Sequence, residues 1–179
     1  LMLLAGASAT LSFAPFNWPA FSLISVIAAY LLLQRSRSGW RSGWLYGSGF
    51  FGAGVSWVYV SIHYHGGMNA PVAALMTILF CVGLGLLFAL QFYLYKRIFK
   101  HPSPIGFAAL WIGFEWLRSW LLTGFPWLYL GYGWIDTPLA NLAPLGGIWL
   151  VSSAVVVLAL LVAFAIQHRE SKTLITALL

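Results

Sequence analysis

The chain has 179 residues, of which 61% are hydrophobic and only 7% charged, with a formal net charge of +6. A soluble domain carries roughly a quarter charged residues, so a mean hydropathy of +0.90 excludes a solvated globular surface and makes lipid the outer solvent. The positive balance does not point to nucleic acid, because most of the nine Lys and Arg stand in short clusters between apolar runs, as in the cytoplasmic loops of membrane proteins.

In lipid the backbone must satisfy its own hydrogen bonds, as helices or as a closed barrel. Barrel strands alternate apolar and polar residues. Here the apolar runs are continuous, as from Pro71 to Tyr95. The expected fold is therefore all-α: a polytopic transmembrane helix bundle, one domain over 1–179, with about six spans plus the start of a seventh.

In chain order, the first apolar run covers 1–14 and is broken by Pro15 and Pro19, since proline lacks the N–H a helix needs. The second covers 20–33 and leads into Arg35, Arg37 and Arg41. The third covers 44–62, and the loop His63 to Ala70 after it holds no Lys or Arg. The fourth covers 71–95, followed by Lys96, Arg97 and Lys100. The fifth covers 105–123, and a loop rich in Gly, Pro and Trp carries the chain to Leu142. The sixth covers 143–166, with His168, Arg169 and Lys172 behind it, and a seventh opens over 173–179. Basic loops follow runs two, four and six, and loops without Lys or Arg follow runs one, three and five. That alternation sets an orientation: N-terminus and basic loops cytoplasmic, the loops around Trp18, Gly66 and Trp127 outside.

Few residues carry chemistry. Gly43 and Gly47 stand four apart, a spacing that lets two helix backbones approach closely; the alternative is a smooth groove for an acyl chain. Glu115 and Arg118 lie three apart on the fifth run and so share a helical face. Charged groups inside a membrane face a bundle interior or a wet cavity, so this pair is either a structural lock or a polar wall where a headgroup or peptide enters. Direct contact between the two is expected. His63 and His65 flank the turn at Gly66 and Gly67 without a third ligand nearby, so no metal site is expected. The glycine pair is expected to supply a positive φ. Cys81, the single cysteine, lies inside an apolar run and reads as a small buried side chain. No nucleophile supported by a base can be assembled, and neither a catalytic residue nor a cofactor site is expected in this chain.

Three stretches are familiar together: Phe13-Ala-Pro-Phe16 with Trp18-Pro19; Gly49-Phe-Phe-Gly52-Ala-Gly54-Val-Ser-Trp57 running to Gly66-Gly67-Met68; and Glu115-Trp-Leu-Arg118-Ser-Trp120 with Thr123-Gly-Phe-Pro-Trp127, followed by Leu130-Gly-Tyr132 and Leu142-Ala-Pro144. This ordered set resembles the N-terminal membrane domain of apolipoprotein N-acyltransferases. The resemblance implies a bacterial inner-membrane enzyme that takes an acyl chain from a phospholipid, chiefly phosphatidylethanolamine. The acceptor it implies is the N-terminal cysteine amine of a diacylated apolipoprotein. It further implies a thioester on an enzyme cysteine, assisted by a glutamate and a lysine, in a nitrilase-like domain outside the membrane. That domain lies between a seventh span and a last one in the family. Neither Cys81 nor Glu115 matches those catalytic residues.

The resulting expectation is the membrane domain of such an enzyme. It would anchor the enzyme, guide lipid and lipoprotein substrates, and be inactive alone because the chain ends at Leu179 before the catalytic domain. Glu115 and Arg118 are the candidate portal or structural pair. Phe125, Pro126 and Trp127, with Gly66 and Gly67, are the candidate lipid-contact loops. The alternative is a stand-alone, non-enzymatic membrane module that binds lipids or a partner. A small transporter would want polar residues deep in several spans or an internal repeat, and neither is evident. The orientation is testable: reporter fusions at Gly39, Lys100 and Arg169 report cytoplasm, and those at Asn69 and Thr137 report the outside. A fusion at Lys100 reporting outside would overturn the topology.

Overall fold

The computed structural model describes residues 1–177, with side chains through residue 167. Its described residues form helices and turns, with no strand among them. The helices are α1 (Met2–Ser8, extended by a tighter turn over Ala9–Ser12), α2 (Ala20–Arg35), α3 (Gly39–Gly54), the short α4 (Val58–Val60), α5 (Ala70–Ile98), α6 (Pro104–Arg118) and α7 (Ala143–Ala177). Their starts are written in the sequence. The Ser38 hydroxyl accepts from the Arg41 N–H (3.2 Å), the Asn69 side-chain oxygen from Val72 N–H (3.0 Å) and the Ser103 hydroxyl from Gly106 N–H (3.1 Å). Each satisfies a donor that the first helical turn leaves free, and Pro71 and Pro104 occupy first-turn positions where no N–H is needed.

The second and fourth apolar runs become α2 and α5 almost as expected. Others depart from it. The third run, expected over 44–62, is helical from Gly39, so that Arg41 lies in the helix and not in the loop before it, and only to Gly54. Gly52 and Gly54 weaken the helix end, and the chain continues through α4 and a wide turn over Ser61–His65. The fifth run, expected over 105–123, stops at Arg118, because Leu122 and Thr123 take φ of 50° and 78°. The helix of the sixth run is interrupted at Gly146 and Gly147, and its backbone then continues to Ala177 through the stretch expected to turn at His168–Lys172. The side chains of that stretch, and the end of the seventh run at 178–179, lie outside the described residues.

Two helical stretches, Ala70–Ile98 and Pro138–Gln167, are long and apolar enough to cross a bilayer. Met2–Ser12 and Ala20–Arg35 are apolar but shorter. At 16 and 15 residues, α3 and α6 are only about 24 and 22 Å long. Six full-length spans are therefore not what the helix lengths give.

Helix α3 packs backbone to backbone against both α1 and α5, most extensively against α5. A Cβ at Gly43 would fall on the Phe88 carbonyl, and one at Gly47 would come within 2.7 Å of the Gly85 Cα. The glycine face of α3 is thus closed by α5 and is not an open groove. Around this seam Tyr46, Phe50, Phe88, Phe92, Phe107 and Trp111 pack ring against ring. The Tyr46 and Ser25 hydroxyls lie 2.7 Å apart, and Ser25 donates onward to the Ala5 carbonyl (2.6 Å), so these buried polar groups are paired.

The loops sort by charge. Lys96 of the second basic cluster donates to the carbonyls of Leu33 and Ser36 beside the first, and Gln167 donates to Gln34 at the same end (2.7 Å). At the other end the Trp134 indole donates to Ser22 (2.8 Å), and the Trp57 and Trp127 rings lie 6.0 Å apart. The bundle thus has one basic end and one tryptophan-rich end. Its seam is testable: Gly43→Val forces α3 and α5 apart and costs about 3 kcal/mol of stability. Gly52→Ala, whose new Cβ meets nothing within 4 Å, costs none. Thermal melts of the two variants in detergent check this, and equal melting temperatures would contradict it.

Candidate functional site

The tryptophan-rich end is built on the last turn of α6 and the irregular segment behind it. Beyond Arg118, Leu122, Thr123 and Gly124 all take positive φ, a run rare for side chains other than glycine and strained at a β-branched threonine. At Gly124 (φ 85°) a Cβ would strike the Ser119 carbonyl, so only glycine fits. The reversal lets Phe125 N–H donate back to the Arg118 carbonyl (2.7 Å) and turns the Phe125 ring inward. That ring sits 6.3 Å from Phe51 of α3 and 5.4 Å from Phe80 of α5.

Glu115 and Arg118 are both buried, each 5% exposed, on the shared face that their spacing predicts. They do not contact each other as expected: among the described residues no ion pair within 4 Å joins them. One Glu115 oxygen accepts from the Trp111 indole (3.2 Å) and from the Leu130 backbone N–H (3.1 Å). The Ser152 hydroxyl of α7 also faces this carboxylate and accepts from Gly131 N–H (2.9 Å). The turn Leu130–Trp134 is thereby tied to α6 and α7 together. Arg118 points elsewhere. Its guanidinium carbon lies 5.3 Å from the Phe51 ring centre and 4.9 Å from that of Tyr129, within cation–π range. Its Nε and Nη2 are buried without a hydrogen-bond partner among the described residues, as is Gln91 Nε2. Those three nitrogens belong to residues that, with Glu115, line one small cavity of about 10 Å³ between α5 and α6.

The candidate loops do not all meet. Pro126 and Trp127 line a cleft of about 520 Å³ with Phe13, Gly54, Trp57 and Tyr132, and Trp127 stacks on Phe125 at 5.3 Å. Gly66 and Gly67 are not part of that cleft. Only Gly67 takes a positive φ, 68°, whereas Gly66 is at −87°. His63 and His65 bond to the carbonyls of Met68 (2.7 Å) and Val60 (3.4 Å) in their own turn. Cys81 is buried in the hydrophobic core. Sequence reasoning missed Gln91, Ser152, Tyr129 and the Leu130 amide. Gln91 carried a signal, as the one amide inside the fourth apolar run. A backbone amide and one serine of a Ser-Ser pair carried none.

Comparison with known proteins places these residues in context. The family profile described as "Apolipoprotein N-acyltransferase N-terminal domain" matches residues 5–161. An apolipoprotein N-acyltransferase of Pseudomonas syringae pv. tomato is 47% identical over 161 residues, covering 86% of this chain and 32% of that protein. One from Coxiella burnetii is 46% identical over 159 residues, covering 85% and 33%. One from Pseudomonas aeruginosa is 45% identical over 159 residues, covering 85% and 31%. The chain thus spans about a third of the length of the curated relatives it matches.

Proposed function

This chain belongs to the apolipoprotein N-acyltransferase family, and from that premise we propose that it is the membrane domain of an enzyme acylating lipoproteins. In this reading the domain lies in the bacterial inner membrane as about six spans, with its N-terminus and basic end cytoplasmic and its tryptophan-rich end outside. It anchors the enzyme there. It also guides a phospholipid acyl donor and a diacylated apolipoprotein acceptor to a catalytic domain held above the tryptophan-rich end. The transfer moves an acyl group from the phospholipid ester to the N-terminal cysteine amine of the acceptor. The chain contributes no catalytic residue and is inactive alone.

The observation that carries this reading is the match over residues 5–161. The structure supports it physically. The charged pair and the unusual backbone sit together at the end without basic loops, where lipid and a catalytic domain would meet. Buried charge is costly in a membrane and marks functional positions, and strained backbone clusters at such positions.

The test is a chimera in which this chain replaces the matched third of the Pseudomonas aeruginosa relative. The chimera is expected to transfer a labelled acyl chain from phospholipid to a diacylated lipopeptide, and the 179-residue chain alone to transfer none. A well-folded chimera without transfer, or transfer by the chain alone, would overturn the reading.

A further inference from the structure

Between α5 and α6 lies a cavity of about 10 Å³ that the proposed function does not use. It forms where two helix faces bring polar side chains together inside a largely apolar bundle. Glu115 and Arg118 share one face of α6, and Trp111 continues that face one turn below Glu115. Across from them α5 presents Phe88 and Gln91, three apart and so also on one face. The rings close the walls, and Gln91, Glu115 and Arg118 supply the polar groups. All three are more than nine-tenths buried.

The polar atoms of this cluster complement one another. Gln91 Nε2, Arg118 Nε and Arg118 Nη2 are donors, and Glu115 Oε2 is an acceptor, and none of them has a hydrogen-bond partner among the described residues. Leaving such a group unpaired in the interior is costly, most of all when it is charged. The Tyr129 hydroxyl lies beside the guanidinium and is an acceptor for one of its nitrogens. That leaves an Arg118 N–H, the Gln91 amide and the second Glu115 oxygen to be served from the cavity.

The same three residues select what serves them. An anion in the cavity would meet the Glu115 carboxylate, and a cation would meet the Arg118 guanidinium. A neutral molecule that both accepts and donates suits both charges. Size narrows the choice further, because ~10–15 Å³ is the room that one water molecule needs.

We propose that this cavity is the site of one internal water molecule, which accepts from Gln91 Nε2 and an Arg118 N–H and donates to Glu115 Oε2. About three hydrogen bonds are what a buried water makes, and such a bridge is nearly as good as a direct bond. The two charges, which form no direct ion pair, are joined through it. The same molecule ties α5 to α6, and Gln91 becomes a positioning residue for the guanidinium that lies against Phe51 and Tyr129. The site rests on the packing of α5 against α6 and not on the reaction the domain serves.

The experiment has two arms. The first is a crystal structure of the chain, grown with bromide in the medium, at a resolution that shows ordered waters. One peak is expected within ~2.5–3.2 Å of Gln91 Nε2, Glu115 Oε2 and an Arg118 nitrogen, without the anomalous signal of bromide. An empty cavity, a bromide peak in it, or a direct Glu115–Arg118 ion pair overturns the proposal. The second arm is the thermal melt of Gln91→Met in detergent. Methionine keeps the length of the side chain and removes the amide. If the amide is bonded to the water, the variant loses that bond and melts about 3 °C lower. If the amide is unpaired, removing it relieves a cost, and the variant melts higher. A rise or no change overturns the proposal, and the wild-type structure decides the matter if the variant does not fold.

Discussion

The structure depends on one buried carboxylate. Glu115 sits inside a largely apolar bundle, where burying such a group is costly unless it is hydrogen-bonded. One of its oxygens is paired and the other has no hydrogen-bond partner among the described residues. The paired oxygen accepts from the indole one turn below it and from the Leu130 amide across the gap. Through Ser152 the neighbouring Gly131 amide is held on α7 as well. Remove this acceptor and the turn at Leu130–Trp134 loses its hold on α6. The segment from Ser119 to Tyr129 would then be fixed only at its α6 end, where Phe125 N–H still bonds the Arg118 carbonyl. The placement of Phe125 between α3 and α5, and of Trp127 beside Trp57, follows from that anchorage.

Arg118, the other buried charge of this end, does not close an ion pair with Glu115 among the described residues. A direct salt bridge would have consumed both charges. Instead the carboxylate is spent on the backbone, and the guanidinium lies against two rings with N–H groups free of acceptors among the described residues. The two charges still lie in one low-dielectric interior and offset each other's field.

Much of this was legible in the sequence. The apolar runs marked the starts of α2, α5 and α6 closely, and Lys96 of the second basic cluster does bond beside the first. The Gly43–Gly47 spacing marked the α3–α5 seam. Helix ends were not legible, because hydropathy counts side chains and does not register a backbone reversal. Val55–Ile62 and Ser119–Thr123 are apolar enough to read as membrane helix, yet Gly52, Gly54 and the positive φ angles at Leu122 and Thr123 end the helices earlier. The spacing of Glu115 and Arg118 identified their common face. It could not reveal that the carboxylate's partner is a backbone amide fifteen residues on, since a backbone amide leaves no mark in composition or spacing.

The most direct test of the Glu115 anchorage is hydrogen exchange at residues 128–134 in detergent, compared between wild type, Glu115→Gln and Glu115→Ala. Leaving a buried donor unpaired costs about 1–3 kcal/mol, so Glu115→Ala should speed exchange of the Leu130 amide about ten- to a hundredfold. Peptides from α5 should stay protected in the same sample. Glu115→Gln, which keeps an acceptor oxygen, should stay close to wild type. Leu130 exchange in Glu115→Ala that matches wild type would show that the outer segment is held by something else.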